Sequence, residues 1–146
     1  MSNYSMIIIP LVATVIAQGS KFFIKSNHQR FSWRGLFAYS GMPSGHSAMV
    51  ISLATIIGLR VGLDSAMFAL SAVFAVLVIR DAVGLRRYLG EHGKMLNELA
   101  KDLKKEKVLA ENFPRLLERV GHTPLQVLVG GVIGFAVSVI GYLIIK

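Results

Sequence analysis

The chain has 146 residues and no cysteine, which excludes a disulfide framework and thiolate chemistry. Apolar residues make up 53% of it and charged residues 16%, well under the roughly 25% charge of soluble domains, so the composition points to a membrane protein. A net charge of +8 calls for an anionic partner, nucleic acid or a membrane surface, and the position of the charge decides between them.

The first apolar segment covers residues 5–24 and is uncharged before Lys21. It lacks the basic start and clean cleavage site of a signal peptide. The second segment covers 44–59. It opens with Gly41-Met42-Pro43-Ser44-Gly45-His46-Ser47-Ala48, where Pro43 stops any preceding helix and Ser44 or Ser47 can cap the next. The third covers 65–79, with Asp64 as its expected N-cap, and runs straight into Arg80-Asp81-Ala82-Val83-Gly84-Leu85-Arg86-Arg87. A charged stretch follows over 91–119. Met95, Leu96, Leu99 and Leu103 recur there at helical spacing beside Lys101, Lys104, Lys105 and Lys107, as in an amphipathic helix at a membrane surface. A plain solvated helical hairpin would show the same pattern.

Gly121-His122-Thr123-Pro124-Leu125-Gln126 reads as a helix start, with Thr123 as N-cap, Pro124 at the first helical position and Gln126 as the capping-box partner. The fourth segment, 127–145, is 19 residues without a charge and is the strongest candidate span. Segments two and three are short for a span of about 20 residues, so their helices must extend past the uncharged core or cross a thin region. The expected fold is all-α: a single-domain integral membrane bundle over 1–146, with about four transmembrane helices and a cytoplasmic amphipathic helix. Residues 31–39 are a possible fifth, re-entrant segment.

With four crossings, the loops after segments one and three share one side. They carry Lys21, Lys25, Arg30, Arg34, Arg80, Arg86, Arg87, Lys94, Lys101, Lys104, Lys105, Lys107, Arg115 and Arg119, 14 of the 16 basic residues. Only Arg60 and Lys146 fall on the other side. The positive-inside rule makes the loaded side cytoplasmic, as in a bacterial-type inner membrane. Topology thus accounts for the charge, and no aromatic-interleaved basic patch calls for a nucleic-acid partner.

The same topology gathers chemistry at one face. Gln18 and Lys21 end segment one, Ser44 and His46 open segment two, Asp81, Arg86 and Arg87 follow segment three, and His122 precedes segment four. The start of a helix offers free N–H groups and a positive dipole end, which suit a phosphate. An imidazole there can pass a proton to a leaving group. His46 at such a start is a candidate acid, and His122, at the same depth, a candidate nucleophile. Lys21, Arg86 and Arg87 also suit a role as interfacial anchors. Asp81 can be neutralised by Arg80 or by an arginine farther on, or can hold a histidine in one tautomer. His28 and His92 receive no role.

Pro43-Ser44-Gly45-His46 resembles the second signature of the type 2 phosphatidic acid phosphatases, which share a fold and site with vanadium haloperoxidases. More closely, the chain resembles the small divergent branch of that superfamily. Besides that signature, the matching pieces are Ala17-Gln18 with Lys21, Asp81-Ala82-x-Gly84-x-Arg86-Arg87, Leu96-Asn97 and Gly121-His122-Thr123-Pro124-Leu125, in order along nearly the whole chain. The resemblance implies a phosphomonoesterase that uses neither metal nor cofactor. His122 would attack phosphorus and form a phosphohistidine, and His46 would protonate the leaving oxygen. Lys21, Ser44, Gly45, Arg86 and Arg87 would hold the phosphoryl oxygens.

Three departures stand out. The arginine nearest to the one after the first-signature lysine is Arg30, and no proline follows it. Position 116 is Leu where the third signature has arginine, with Arg115 and Arg119 on either side. Position 126 is Gln where the family has aspartate. Asp81 is the candidate substitute for that carboxylate, and Arg86 or Arg87 for the missing arginine. The implied substrate is a lipid phosphate in the bilayer: phosphatidylglycerophosphate, phosphatidic acid or a polyprenyl (di)phosphate. A non-catalytic lipid-phosphate binder or carrier is the alternative. The superfamily's membrane members usually have six spans, so a four-span bundle is expected to close its site as a homodimer.

Overall fold

The computed structural model describes residues 4–24, 41–108, 112–118 and 120–145. The re-entrant segment at 31–39, His28 and the cations Lys25, Arg30, Arg34, Arg119 and Lys146 lie outside the described residues. Five helices make up the fold: α1 (Ser5–Ser20, continued by a 3-10 turn at Lys21–Phe23), α2 (Gly45–Val61), α3 (Ala66–Val83), α4 (Leu85–Lys105) and α5 (Pro124–Ile145). No strand occurs among the described residues.

α2 is the hub of the bundle: α1, α3 and α5 all pack on it, and α1 also packs on α5. The seams are lined by small side chains. Ala13, Ala17, Ala48, Ser44, Ser52 and Ser138 are fully buried, while Leu11, Val15, Leu70, Val73, Val76, Leu128, Val132 and Phe135 face outward. Large apolar groups outside and small ones inside invert the soluble pattern. They fit a helical membrane bundle, where lipid solvates the large side chains and small ones let backbones approach. α1 with its 3-10 turn, α3 and α5 have the length and apolarity to cross a bilayer. α2, with 17 residues, reaches only about 25 Å, but it is uncharged between His46 and Arg60 and is packed on by α1, α3 and α5.

The α2–α5 seam is the tightest. Ser44, Ala48 and Ser52 on α2 meet Gly130, Gly134 and Ser138 on α5. A Cβ on Gly130 would collide with the Ser44 carbonyl oxygen, and one on Gly134 with that of Ala48. The Ser52 and Ser138 hydroxyls lie 2.6 Å apart, and Ser138 also donates to the Ser52 carbonyl at 2.9 Å. Each buried hydroxyl thereby finds a partner where no water reaches it.

Two boundaries differ from the sequence expectation. Ser65, not Asp64, caps α3, its Oγ accepting from the Phe68 N–H at 3.2 Å. The amphipathic helix begins at Leu85 rather than at 91 and ends at Lys105 rather than at 119. A single break at Gly84 separates it from α3, and residues 112–118 return along its flank without helical structure. Asn97 clasps that return. Its Nδ2 donates to the Leu116 carbonyl and its Oδ1 accepts the Leu116 N–H, both at 2.9 Å. Gly90 and Gly93 let the return lie directly on the helix backbone. Leu85, Tyr88, Leu89, Met95, Leu96 and Leu99 form an exposed stripe on another side of α4.

Candidate functional site

The four helix ends expected to converge do so, and backbone hydrogen bonds join three of them. The Ser44 N–H donates to the Gln126 carbonyl at 3.0 Å, and the Ser47 hydroxyl to the Val127 carbonyl at 2.6 Å. These bonds fix the start of α2 to the first turn of α5. The His122 N–H donates to the Ala82 carbonyl at 2.9 Å, fixing the loop before α5 to the end of α3. Gly121, at φ 89°, lies so close to the Arg86 and Arg87 backbone that a side chain there would collide. Gln18 of α1 lies against Gly45, where a Cβ would come within 3.0 Å of its Nε2.

As a result the rings of His46 and His122 lie near each other, with centroids 6.3 Å apart and planes tilted by 53°. His46 is exposed on the access side, whereas His122 is buried, with 4% of its surface accessible. Lys21, on the 3-10 turn, is buried, with 2% of its surface accessible. Burial first, then the charge of Lys21, push the His122 pKa down to about 4. The charges of His46 and Arg86 push the same way, and the Gln126 carboxamide opposes them. His122 is therefore neutral at pH 7, with a free lone pair. Its Nδ1 is buried and has no hydrogen-bond partner.

The remaining site residues divide by geometry. Ser44 caps α2, accepting the Ser47 N–H at 3.3 Å, and Gly45 opens the helix beside it, so the first amides of α2 face the histidines' end of the bundle. Asp81 pairs with Arg86, Oδ2 to Nε, at 2.5 Å and makes no bond to His122 Nδ1. Arg86 acts on the charge of both histidines. Arg87 turns instead to Glu91, one helical turn on, at 3.1 Å. Arg115, one of the two arginines flanking position 116, pairs with Glu118 at 2.9 Å. Gln126 completes the expected capping box: its Oε1 accepts the Thr123 N–H at 3.0 Å and its N–H donates to Thr123 Oγ1 at 3.3 Å.

Two residues that the sequence reading left without a role belong to this frame. Gln18 packs beneath the α2 start with its Oε1 buried and unpartnered. Asn97 holds the returning segment at Leu116. The signal for Gln18 was an amide side chain in the apolar run of α1, one turn before Lys21. Among the described residues no group of three His, Asp or Glu side chains could hold a metal ion.

A helical membrane bundle that gathers two histidines, a buried lysine and an arginine at one end of its helices defines the class of protein. The chain matches the family described as the Divergent PAP2 family over residues 2–137 and belongs to it. It is 37% identical over 142 residues to the "Uncharacterized membrane protein YuiD" of Bacillus subtilis (strain 168), covering 89% of each chain. No solved structure matches it.

Proposed function

We propose that the chain is a membrane lipid phosphatase that removes a terminal phosphate monoester from a lipid at the cytoplasmic face. The observation that carries this is the neutral, buried His122 with its ring centroid 6.3 Å from that of the accessible His46, and with Lys21 and Arg86 close enough to act on its charge. A ring nitrogen of His122 attacks phosphorus while the bond from phosphorus to the lipid oxygen breaks, and protonated His46 gives its proton to that oxygen. Neutral His46 then takes a proton from water, the water oxygen attacks the phosphohistidine, and inorganic phosphate and neutral His122 are released. Lys21, Arg86 and the first amides of α2 stabilise the charge on the equatorial oxygens, which is the main demand of phosphoryl transfer. Arg86, positioned by Asp81, takes the place of the arginine that position 116 lacks. The substrates that fit are phosphatidylglycerophosphate, phosphatidic acid and polyprenyl phosphates.

A non-catalytic lipid-phosphate binder or carrier is the second reading. It is favoured by the unpartnered Nδ1 of His122, which no carboxylate orients because position 126 is Gln and Asp81 pairs with Arg86. Phosphate release from these lipids in micelles with EDTA separates the two. Turnover that falls by about a hundredfold or more in both His122→Ala and His46→Ala supports the phosphatase. Folded wild-type protein that binds the lipids and releases no phosphate supports the carrier.

A further inference from the structure

α3 and α5 both lie along α2 but meet each other only briefly. They stand as two walls over a floor formed by α2, and an apolar groove runs between them in two connected parts. The part nearer the site encloses about 370 Å³ and is bounded by Ser47, Ile51, Ile79, Val127, Gly131 and Phe135. The farther part encloses about 410 Å³, shares Ile51 and Phe135, and continues to Leu59, Leu63 and Phe68. From Ser47 to Leu59 the floor extends about 18 Å along α2, more than half of a hydrocarbon core of about 30 Å.

The near end of the groove lies at the helix ends that carry the histidine pair, although neither ring lines it. Ser47 follows His46 directly. Val127 follows Gln126, whose carbonyl takes the Ser44 N–H. Ile79 lies one turn before Ala82, whose carbonyl takes the His122 N–H. The lining offers almost nothing polar: the Ser47 hydroxyl is bonded to the Val127 carbonyl, and that of Thr55 to the Ile51 carbonyl. A polar chain would lose its hydrogen bonds there, whereas a hydrocarbon chain loses none.

We propose that this groove holds the hydrocarbon tail of the lipid whose phosphate lies between His46 and His122, so that substrate enters sideways from the bilayer along α2. The proposal rests on the phosphate-site reading and adds a tail site that selects long-chain over short-chain phosphates.

The test uses the full chain in nanodiscs and a long-chain alkyl phosphate bearing a diazirine midway along the chain, with adducts mapped by mass spectrometry. Adducts are expected on Ile51, Phe135 and their groove neighbours, reduced by vanadate and weaker for the corresponding alcohol, which lacks the phosphate. Adducts spread evenly over the outward faces of α1 and α3, or a crosslink through Phe135 to a second copy, would overturn the tail site. In parallel, Ile51→Trp, which fills the waist of the groove, should lower the long-chain to dihexanoyl turnover ratio about tenfold. An unchanged ratio counts against the groove. Labelling in the groove without any turnover upholds the tail site and removes the phosphatase reading. Turnover lost in His122→Ala with adducts outside the groove does the reverse.

Discussion

At the residue scale, His122 is the group whose protonation the fold most constrains. Its ring is buried, Lys21 adds a positive charge nearby, and Nδ1 meets no acceptor, so the charged form is disfavoured. The native imidazole takes a proton only near pH 4, whereas an unfolded one does so near 6.5. Between those values the unfolded chain binds more protons than the native one. The stability contributed by the neutral ring is therefore complete above about pH 6.5 and is lost as the pH falls towards 4. Thermal melts in detergent at pH 7 and pH 5 measure this directly. The wild type should lose about 2 kcal/mol more than His122→Gln over that interval, seen as a larger fall in melting temperature. Equal losses would mean that the ring is not held neutral. Hydropathy alone gave no hint of this burial, because His122 sits in a loop between a charged stretch and a helix cap. The capping box that occupies Gln126 was legible, since Thr123, Pro124 and Gln126 are spaced for it within one helical turn.

At the element scale, the separation of the histidines depends on how closely α2 approaches α5. Gly130 and Gly134 face carbonyl oxygens of α2, and backbone cannot move aside as a flexible side chain can. A methyl group at 134 therefore has to push the helices apart. At Gly131, one residue after Gly130 on the same helix, a Cβ would meet the Ser47 hydroxyl at 3.4 Å and Ile51 at 3.6 Å, an ordinary contact. Gly134→Ala is expected to cost about 1–3 kcal/mol and Gly131→Ala less than about 0.5 kcal/mol, read as melting temperatures of the two variants in detergent. Equal effects would show that the seam is looser than described. These glycines were opaque in the sequence because a small residue leaves an apolar run looking apolar, and its partners Ser44 and Ala48 lie more than 80 residues away. The amphipathic helix was legible as an element through its leucine spacing. Its end was not, because Asn97, Gly90 and Gly93, which receive the returning segment on the helix, do not alter the hydropathy pattern.

At the scale of the whole molecule, the four apolar segments and the convergence of their ends could be read before any coordinate. Uncharged runs define helices, and an even number of crossings returns alternate ends to one side. The depth at which Lys21, His46, Asp81, Arg86 and His122 meet follows from that alone. Their division into Asp81 with Arg86, and His46 facing His122, needed the packing. The charge distribution predicts an orientation for the bundle. The loop between α2 and α3 carries little charge, while α4 carries Lys94, Lys101, Lys104 and Lys105. By the positive-inside rule, the side that carries those cations is expected to be the cytoplasmic one. The chain has no cysteine, so single reporters can be placed without background. Leu63, exposed in the α2–α3 loop, and Lys101, exposed on α4, are suitable positions. With Leu63→Cys, a membrane-impermeant maleimide should label intact cells. With Lys101→Cys, labelling should appear only after permeabilisation. The reverse pattern would put the histidine pair outside the cell, where cytoplasmic lipid phosphates cannot reach it. Labelling of both in intact cells would mean that the chain inserts in two orientations, and that its basic loops do not set the topology.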